Sequence, residues 1–294
     1  MKFLIIIPVH NEGVYLPFCL KSLASQTYSD FNLVLVNDGS TDNTPDLIQQ
    51  FVEDHPKMLI KVLNLEKSEH QPGAKVVRTF NKGLELQSLE GYDVICKFDS
   101  DIVFPSNYLQ RINDVFEANP KAGMVSGLVY VKKSIFEYDL ALDFKDEKRQ
   151  WQFENISSKD HVRGPIKAYR KECFLAMNGL RPVLGWDNID VMLAQMHGWE
   201  IVTLKNIWVK HLRPTAYKYK EQKAEKLGEY FYNIGLSFPL ALVSSAKSSL
   251  KNKSFSEFKI TMKNFLNQKH ERSLNKEEIE YIRNLRWRAM LNKF

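Results

Sequence analysis

Short apolar runs alternate with amphipathic runs over the first third of the chain. The apolar runs predict strands at 3–9, 31–37, 59–65 and 92–98. The amphipathic runs between them predict helices at 14–26, 44–54 and 75–88. Strands that alternate with helices form crossover units, so we expect an α/β fold with a mostly parallel sheet covered by helices on both faces.

The patterning changes twice along the rest of the chain. Residues 120–211 are mixed, with strands predicted at 125–131 and 201–204 and a helix at 190–197. From about residue 215 the chain is poor in glycine and helical, with helices predicted at 217–232, 239–250, 255–266 and 276–291. We therefore divide the chain into an α/β domain, residues 1–214, and a mostly helical C-terminal extension, residues 215–294.

Polar residues follow three of the predicted strands. His-Asn-Glu follows the first, Asp-Gly-Ser-Thr-Asp ends the second, and Asp-Ser-Asp ends the fourth. In parallel sheets the carboxyl ends of the strands form one edge, where ligands bind. The acids after these strands are therefore expected to lie near one another. No glycine-rich phosphate loop follows the first strand, so a dinucleotide-binding or ATP-hydrolysing enzyme loses its main support.

Charge is divided unevenly between the two parts of the chain. Residues 1–211 carry 24 Lys and Arg against 27 Asp and Glu, whereas residues 212–294 carry 17 against 8. The basic part suits nucleic acid, anionic lipid or a phosphorylated acceptor, with a plain solvated helical surface as an equally weighted alternative.

Cysteine usage and hydropathy bear on the compartment. Cys19, Cys96 and Cys173 are odd in number and far apart, which argues against a disulfide framework and for a reducing compartment. The apolar start is too short for a signal peptide and is interrupted by Pro8, so it is better explained as a buried strand. No run approaches the ~18–20 apolar residues of a spanning helix. We expect a cytoplasmic location, with peripheral contact at the inner face of the plasma membrane.

Asp99 and Asp101 form the pattern with the most specific chemistry. Two carboxylates two residues apart after a buried strand reach one small volume if the chain turns there, and they suit Mg²⁺ or Mn²⁺. The alternative is a pair of solvated turn acids, which the preceding apolar strand disfavours. Asp38 ends another strand, where a hydrogen bond to a base or ribose and simple turn chemistry are equally supported.

Two candidates lie later in the chain. Asp187 follows a tryptophan, and desolvation beside such a ring raises a carboxyl pKa into the range of a general base. Asp190 is expected instead to cap the helix that follows. His211 ends a short apolar run; a lone histidine is usually structural, but here it could supply imidazole to an ion at Asp101.

At this point the sequence resembles a known family. The ordered runs Ile-Pro-Val-His-Asn-Glu, Val-Asn-Asp-Gly-Ser-Thr-Asp and Phe-Asp-Ser-Asp, with the later Gly-Trp-Asp-Asn-Ile-Asp, are similar to those of family 2 glycosyltransferases with the GT-A fold. The resemblance covers roughly residues 1–214. It implies a GT-A mixed sheet and an inverting transfer of sugar from a UDP- or GDP-sugar to an acceptor hydroxyl, with Mn²⁺ or Mg²⁺ as cofactor.

The resemblance also implies the roles of single residues on the donor side. The nucleotide pocket would be lined by Pro8, Val9 and Glu12. Asp38 would contact the base, and Asp99 would lie near the ribose.

The remaining implied roles concern the metal and the acceptor. Asp101 and His211 would hold the metal, and Asp187 would deprotonate the acceptor. The family often has Glu-Asp where this chain has Trp-Asp, which leaves Asp190 as an alternative base. Residues 163–165 would lie in the loop between donor and acceptor regions.

The stretch 72–78 matches the family's Gly–Arg-Asn run only loosely. Lys75 and Arg78 either contact the donor or lie on a solvated helix face.

The C-terminal extension also has two interpretations. Its aromatic and apolar residues are interleaved with lysines: Tyr230, Phe231, Tyr232, Leu236 and Phe238. They suit either contact with anionic lipid or packing against the catalytic domain.

Two other classes of function compete. A nucleotidyltransferase acting on a sugar phosphate would also use strand-end acids, but it usually needs a phosphate-gripping loop after the first strand. A nucleic-acid-binding module would not explain acids after three strands. We therefore expect a nucleotide-sugar donor, a glycan or lipid-linked glycan acceptor in surface glycan synthesis, and no nucleic acid. The sequence leaves the oligomeric state open.

Overall fold

The computed structural model describes residues 1–66, 73–133, 144, 150–213 and 223–291. Its strands are β1 (Phe3–Val9), β2 (Phe31–Asp38), β3 (Ile60–Leu65), β4 (Val94–Phe98), β5 (Ile102–Val103), β6 (Ala122–Lys132), β7 (Trp151–Phe153), β8 (Ile166–Arg170) and β9 (Glu200–His211). Its helices are α1 (Leu16–Ala24), α2 (Thr44–Asp54), α3 (Ala74–Glu85), α4 (Tyr108–Ala118), α5 (Lys171–Ala176), α6 (Trp186–Met196), α7 (Lys223–Asn233), α8 (Phe238–Asn252), α9 (Phe255–Asn267) and α10 (Lys276–Leu291).

All strands belong to one mixed sheet in the order β3-β2-β1-β4-β8-β6-β9-β5, with β7 paired to β6. The first four strands in this order are parallel, as expected. Beyond them the sheet departs from the mostly parallel prediction, because β8 runs antiparallel to both β4 and β6. The regular alternation of strand and helix, which requires parallel crossovers, does not continue past this part of the chain.

Alternate residues of β1 face opposite sides of the sheet, and both sides are buried. Phe3, Ile5 and Ile7 pack in a core with helices α1, α2 and α4. Leu4 and Ile6 pack in a second core with α3, α5 and α6. Burial on both faces explains why β1 has a continuous apolar sequence and no polar alternation.

Helices α7 to α10 add to this second core. Their buried members include Phe231, Leu240, Phe265 and Ile282. Phe231 and Leu236 are only 7% and 2% exposed, so these two of the candidates for lipid contact are packed inside the protein. At these positions the structure therefore favours the alternative of packing against the α/β part.

Polar contacts fix the C-terminal helices onto the segment that precedes α6. Arg181 forms a 2.8 Å ion pair with Glu278 of α10. The Asn233 side-chain amide donates to the Leu184 carbonyl at 3.1 Å. Gly185 has φ +92°, and a Cβ there would lie 2.4 Å from the Tyr230 ring, so the close approach of α7 requires glycine.

The predicted boundary between residues 214 and 215 lies outside the described residues, as does the start of the helix predicted at 217–232. Over the described chain, none of the helices combines the length and the apolar character that crossing a membrane requires.

We expect Arg181→Met to lower the free energy of unfolding by about 2 to 4 kcal/mol, because it leaves the buried Glu278 carboxylate without its cation. Urea denaturation measures this change. The matched control is Lys82→Met, which breaks an exposed pair with Glu85 and should cost less than about 0.5 kcal/mol. Equal losses in the two variants would contradict the role of the buried pair.

Candidate active site

The loops after β1 and β2 are tied together at the carboxyl edge of the sheet. The Asn11 amide donates to Ser40 Oγ at 3.0 Å, and the Gly13 amide donates to Asp42 Oδ2 at 3.0 Å. Asp42 Oδ1 also accepts from the Thr44 amide, at the start of α2. The side chains of residues 40–44 therefore stabilise the turn and the start of α2, and they hold the loops after β1 and β2 in place.

The three candidates at the end of β1 occupy different environments. Pro8 is half-buried, and the Val9 side chain is 1% exposed within the core, so Val9 offers a ligand only its main chain. Glu12 is 6% exposed and forms an ion pair with Arg213. Burial, followed by the nearby Asp101, raises the pKa of Glu12 to about 7, although Arg213 opposes this shift.

The Asp38 carboxylate, at the end of β2, is held by two side chains of α3. Its Oδ2 accepts from Thr79 Oγ1 at 2.9 Å and lies 3.4 Å from Lys75 Nζ. The Lys75 side chain is only 13% exposed, so the alternative of a solvated helix face is wrong for this residue. Arg78, by contrast, is exposed.

Asp99, directly after β4, pairs with a buried lysine of that strand. Lys97 is 1% exposed and forms an ion pair with the Asp99 carboxylate, which stays 30% exposed. The ammonium nitrogen of Lys97 also lies 5.0 Å from the centroid of the Trp186 ring. Lys97 therefore connects an acid at the end of β4 with the first residue of α6 through charge and cation–π contact.

Asp101 and His211 face each other across the strand pair β5 and β9. His211 Nε2 lies 3.5 Å from Asp101 Oδ1, and both side chains are buried. Burial lowers the pKa of His211, but Asp101 and Glu154 outweigh it and raise this pKa to about 10. For Asp101, burial raises the pKa, but His211 and Arg213 hold it below its usual range.

A buried acid that the sequence analysis missed completes this arrangement. Glu154 Oε2 lies 3.2 Å from His211 Nδ1 and 2.7 Å from Arg163 Nη2. Because Glu154 accepts from Nδ1, it orients the ring so that Nε2 faces Asp101. Glu154 lies in a stretch without clear hydrophobic periodicity. Only residues 163–165 of this stretch were assigned a role from the sequence, so no sequence signal indicated Glu154.

Arg213 was also missed as a functional candidate. Its guanidinium pairs with Glu12 and lies 3.2 Å from Asp101 Oδ2, while its side chain stays 44% exposed. Arg213 therefore joins the loop after β1 to the loop after β4 and presents positive charge to solvent at the sheet edge. Its position two residues after His211, where β9 ends, was the available sequence signal.

The residues at Asp101 fit a divalent cation. Asp101 Oδ1 is buried and accepts no hydrogen bond among the residues the structure describes. A carboxylate oxygen opposite an imidazole nitrogen is a suitable donor set for Mn²⁺. Across the described ranges no group of three or more His, Cys, Asp or Glu side chains is arranged to hold an ion. The pair would therefore bind a cation together with oxygen ligands from a substrate, as Mg²⁺-type sites commonly do.

The two candidate bases at the start of α6 are in contrasting environments. Asp190 was expected to cap the helix, but α6 begins at Trp186, so Asp190 lies inside it. Asp190 is 2% exposed and accepts from Lys167 Nζ and the Tyr169 hydroxyl, each at 2.7 Å. Asp187, in the first turn, is half-buried, and within the described chain its carboxylate forms no ion pair. Of these two acids, Asp187 is thus the one whose carboxylate is open to a reactant.

The structure brings some of the candidates together and leaves others apart. Glu12, Asp101 and His211 form one contact network through Arg213. Asp99 is connected to the Asp187 helix through Lys97 and Trp186. Asp38 instead contacts Thr79 and Lys75 of α3. The edge therefore combines the buried Asp101–His211 pair, a part-exposed guanidinium that pairs with Glu12 and Asp101, and a separate carboxylate.

Comparison with known proteins gives one matching family and related sequences. The family model for glycosyl transferase family 2 matches residues 4–176, which excludes Asp187 and His211. An uncharacterized glycosyltransferase of Nostoc sp. (strain PCC 7120) is 34% identical over 128 residues, 44% of this chain and 37% of that protein. A PGL/p-HBAD biosynthesis glycosyltransferase of Mycobacterium bovis (strain BCG) is 30% identical over 141 residues, 48% of this chain and 52% of that protein. The chain thus aligns with only about a third to a half of these relatives' length.

Solved structures share the fold at low sequence identity. Staphylococcus aureus TarS 1–349 in complex with UDP-GlcNAc has a TM-score of 0.60 at 18% identity, covering 97% of this chain and 83% of that one. The mannosyltransferase PcManGT from Pyrobaculum calidifontis, in complex with GDP-Man and Mn²⁺, has a TM-score of 0.58 at 17% identity, covering 99% and 75%. These likenesses confirm the expected GT-A fold. The family model matches more than half of the residues, and the chain therefore belongs to glycosyltransferase family 2.

Proposed function

We propose that this chain is an inverting glycosyltransferase that moves a sugar from a nucleoside diphosphate sugar to an acceptor hydroxyl. The observation that carries the proposal is the buried pair Asp101–His211 beside Arg213, at the carboxyl edge of the sheet. A cation held by this pair and the exposed part of the Arg213 guanidinium would together suit a diphosphate, which needs positive charge from more than one direction.

A UDP- or GDP-sugar is the proposed donor. Related folds have been solved with GDP-Man and with UDP-GlcNAc, which supports both nucleotides. In this chain Asp38 and the main chain at Pro8 and Val9 would bind the nucleoside, and Asp99 would lie near the ribose. The proposed acceptor is a glycan or lipid-linked glycan of the cell surface, in keeping with the name of the mycobacterial relative.

Mn²⁺ or Mg²⁺ is the proposed cofactor, held by Asp101 and His211. When bound, the ion would act as a Lewis acid that neutralises negative charge on the leaving diphosphate. Two solved relatives of the fold contain Mn²⁺, which supports manganese. Glu154 keeps the His211 ring in the orientation that presents Nε2 to the ion. Arg213 adds a fixed positive charge beside Asp101.

Asp187 is the proposed general base. Its half-buried carboxylate would take the proton of the acceptor hydroxyl as the oxygen attacks the anomeric carbon. Asp190 is less suited, because its carboxylate is already bound by Lys167 and Tyr169. Direct displacement from the side opposite the leaving group inverts the anomeric centre. An α-linked donor would therefore give a β-linked product.

We also propose that residues 1–214 are the catalytic domain and residues 215–294 its helical extension. A cytoplasmic location is proposed because Cys19, Cys96 and Cys173 are buried free thiols, as expected in a reducing compartment.

Asp187→Asn should lower nucleotide release from the best sugar nucleotide in a donor panel about 100-fold or more, because the amide cannot accept the acceptor proton. Donor binding, measured by calorimetry, should be unchanged. Asp190→Asn is the comparison: it should lower the melting temperature by weakening the buried Lys167 pair. Turnover near the wild-type level in Asp187→Asn would show that the base is assigned wrongly.

Manganese should tighten binding of UDP or GDP about tenfold or more in isothermal titration, and Asp101→Asn should abolish this gain, since it removes a charged ligand. Glu154→Gln should lower the Mn²⁺ affinity itself about 10- to 100-fold, because the charged acceptor at His211 Nδ1 is replaced by a neutral amide, which accepts more weakly and has an NH₂ group as well. Asp160→Asn, an exposed acid paired with Lys205, is the control and should bind as the wild type does. Identical nucleotide affinities with and without manganese would contradict the metal assignment.

A further inference from the structure

The turn between α8 and α9 displays the two most exposed large apolar side chains among the described C-terminal helices. Leu250 is 79% exposed and Phe255 is 69% exposed, and they are only five residues apart. Lys251 and Lys253 lie between them, and both are exposed. We call these four residues the α8–α9 tip.

The exposed face continues from the tip along both helices. On α8, Val243 and Lys247 lie seven and three residues before Leu250, so they share its side of the helix. On α9, Lys259 and Lys263 follow Phe255 at intervals of four. Val243 is 46% exposed and both lysines of α9 are exposed. The opposite sides of the two helices are buried against the rest of the protein. Each of the two helices thus combines exposed lysines with an exposed apolar side chain next to the tip.

The tip is held in a defined conformation. Lys253 adopts φ +51° at the end of α8. Ser254 Oγ accepts from the Glu257 amide at 3.3 Å and so caps α9. The Asn252 side-chain amide donates to Glu257 Oε2 at 2.7 Å. A hydrogen-bonded turn therefore holds the exposed apolar side chains in place. Little conformational entropy of this turn would be lost when the tip binds a partner.

We propose that the α8–α9 tip and its flanking lysines dock on the surface of a bilayer that contains anionic lipid. Residues 238–267 hold five lysines and one acid, Glu257, which is bonded to Asn252. Lysines around exposed Leu and Phe match an interface in which anionic headgroups lie above acyl chains. This inference does not depend on the proposed catalytic activity.

Charge argues against a second copy of the chain as the occupant. A two-fold interface would place the same surface against itself, so the lysines of one tip would face the lysines of the other. Such like charges repel without an intervening anion. An anionic lipid surface instead supplies the complementary charge to every lysine at once.

Flotation of the full 1–294 chain with phospholipid vesicles tests the proposal. At low salt the protein should partition into vesicles of phosphatidylcholine and phosphatidylglycerol about tenfold or more strongly than into phosphatidylcholine alone. Leu250→Ser/Phe255→Ser should lower that partition about tenfold or more. Lys251→Glu/Lys253→Glu should lower it as well, and added salt should weaken wild-type binding.

Matched controls place the same changes elsewhere on the surface. Leu59→Ser/Leu175→Ser alters two other exposed leucines, and Lys57→Glu/Lys121→Glu alters two other exposed lysines. Both should float like the wild type, and all variants should keep the wild-type melting temperature. Nucleotide release from soluble donors should be unchanged by the tip variants, so a failed catalytic proposal and a failed docking proposal give different results.

Three results would overturn the proposal. The first is a wild-type chain that floats with neither type of vesicle at low salt. The second is an equal loss of binding in the controls and the tip variants. The third is a dimer mass in light scattering that Leu250→Ser/Phe255→Ser reduces to the monomer while vesicles bind nothing, which would assign the surface to self-association.

Discussion

Compensation of buried carboxylates by nearby cations is the constraint on which the sheet edge depends. Glu12, Asp101 and Glu154 are each at most 6% exposed, and a buried carboxylate without a counter-charge is costly. His211 and Arg213 supply the positive charge for all three, together with Arg163. The loops after β1 and β4, the β7–β8 segment and the end of β9 are thereby drawn to one place.

The same principle separates the roles of the acids near α6. Asp190 is neutralised by Lys167 within the core and acts as a fixed point for the helix. That pair anchors the helix whose first turn carries Asp187, so the side chain that remains open to a reactant is attached to a rigid support. Lys97 extends the support to the end of β4, since it contacts both Asp99 and the Trp186 ring.

Much of the architecture could be predicted from the sequence, because periodicity depends on burial. The helix predicted at 276–291 coincides with α10, and the strand predicted at 3–9 coincides with β1. The start of α6 was predicted four residues late. Gly185, with its positive φ, and the docking of Tyr230 against it determine that start through contacts far apart in the chain. Glu154 could not be found for the same reason, since its role depends on the spatial approach of His211.

The shared core of the sheet and the C-terminal helices has a consequence for how the chain can be divided. Phe231, Phe265 and Ile282 fill the same cluster as Val77 and Phe80 of α3. Cutting the polypeptide near residue 214 would uncover that apolar layer to water and release the anchor on Arg181. The C-terminal helices are thus part of the same core as the sheet, and removing them would destabilise the α/β part as well.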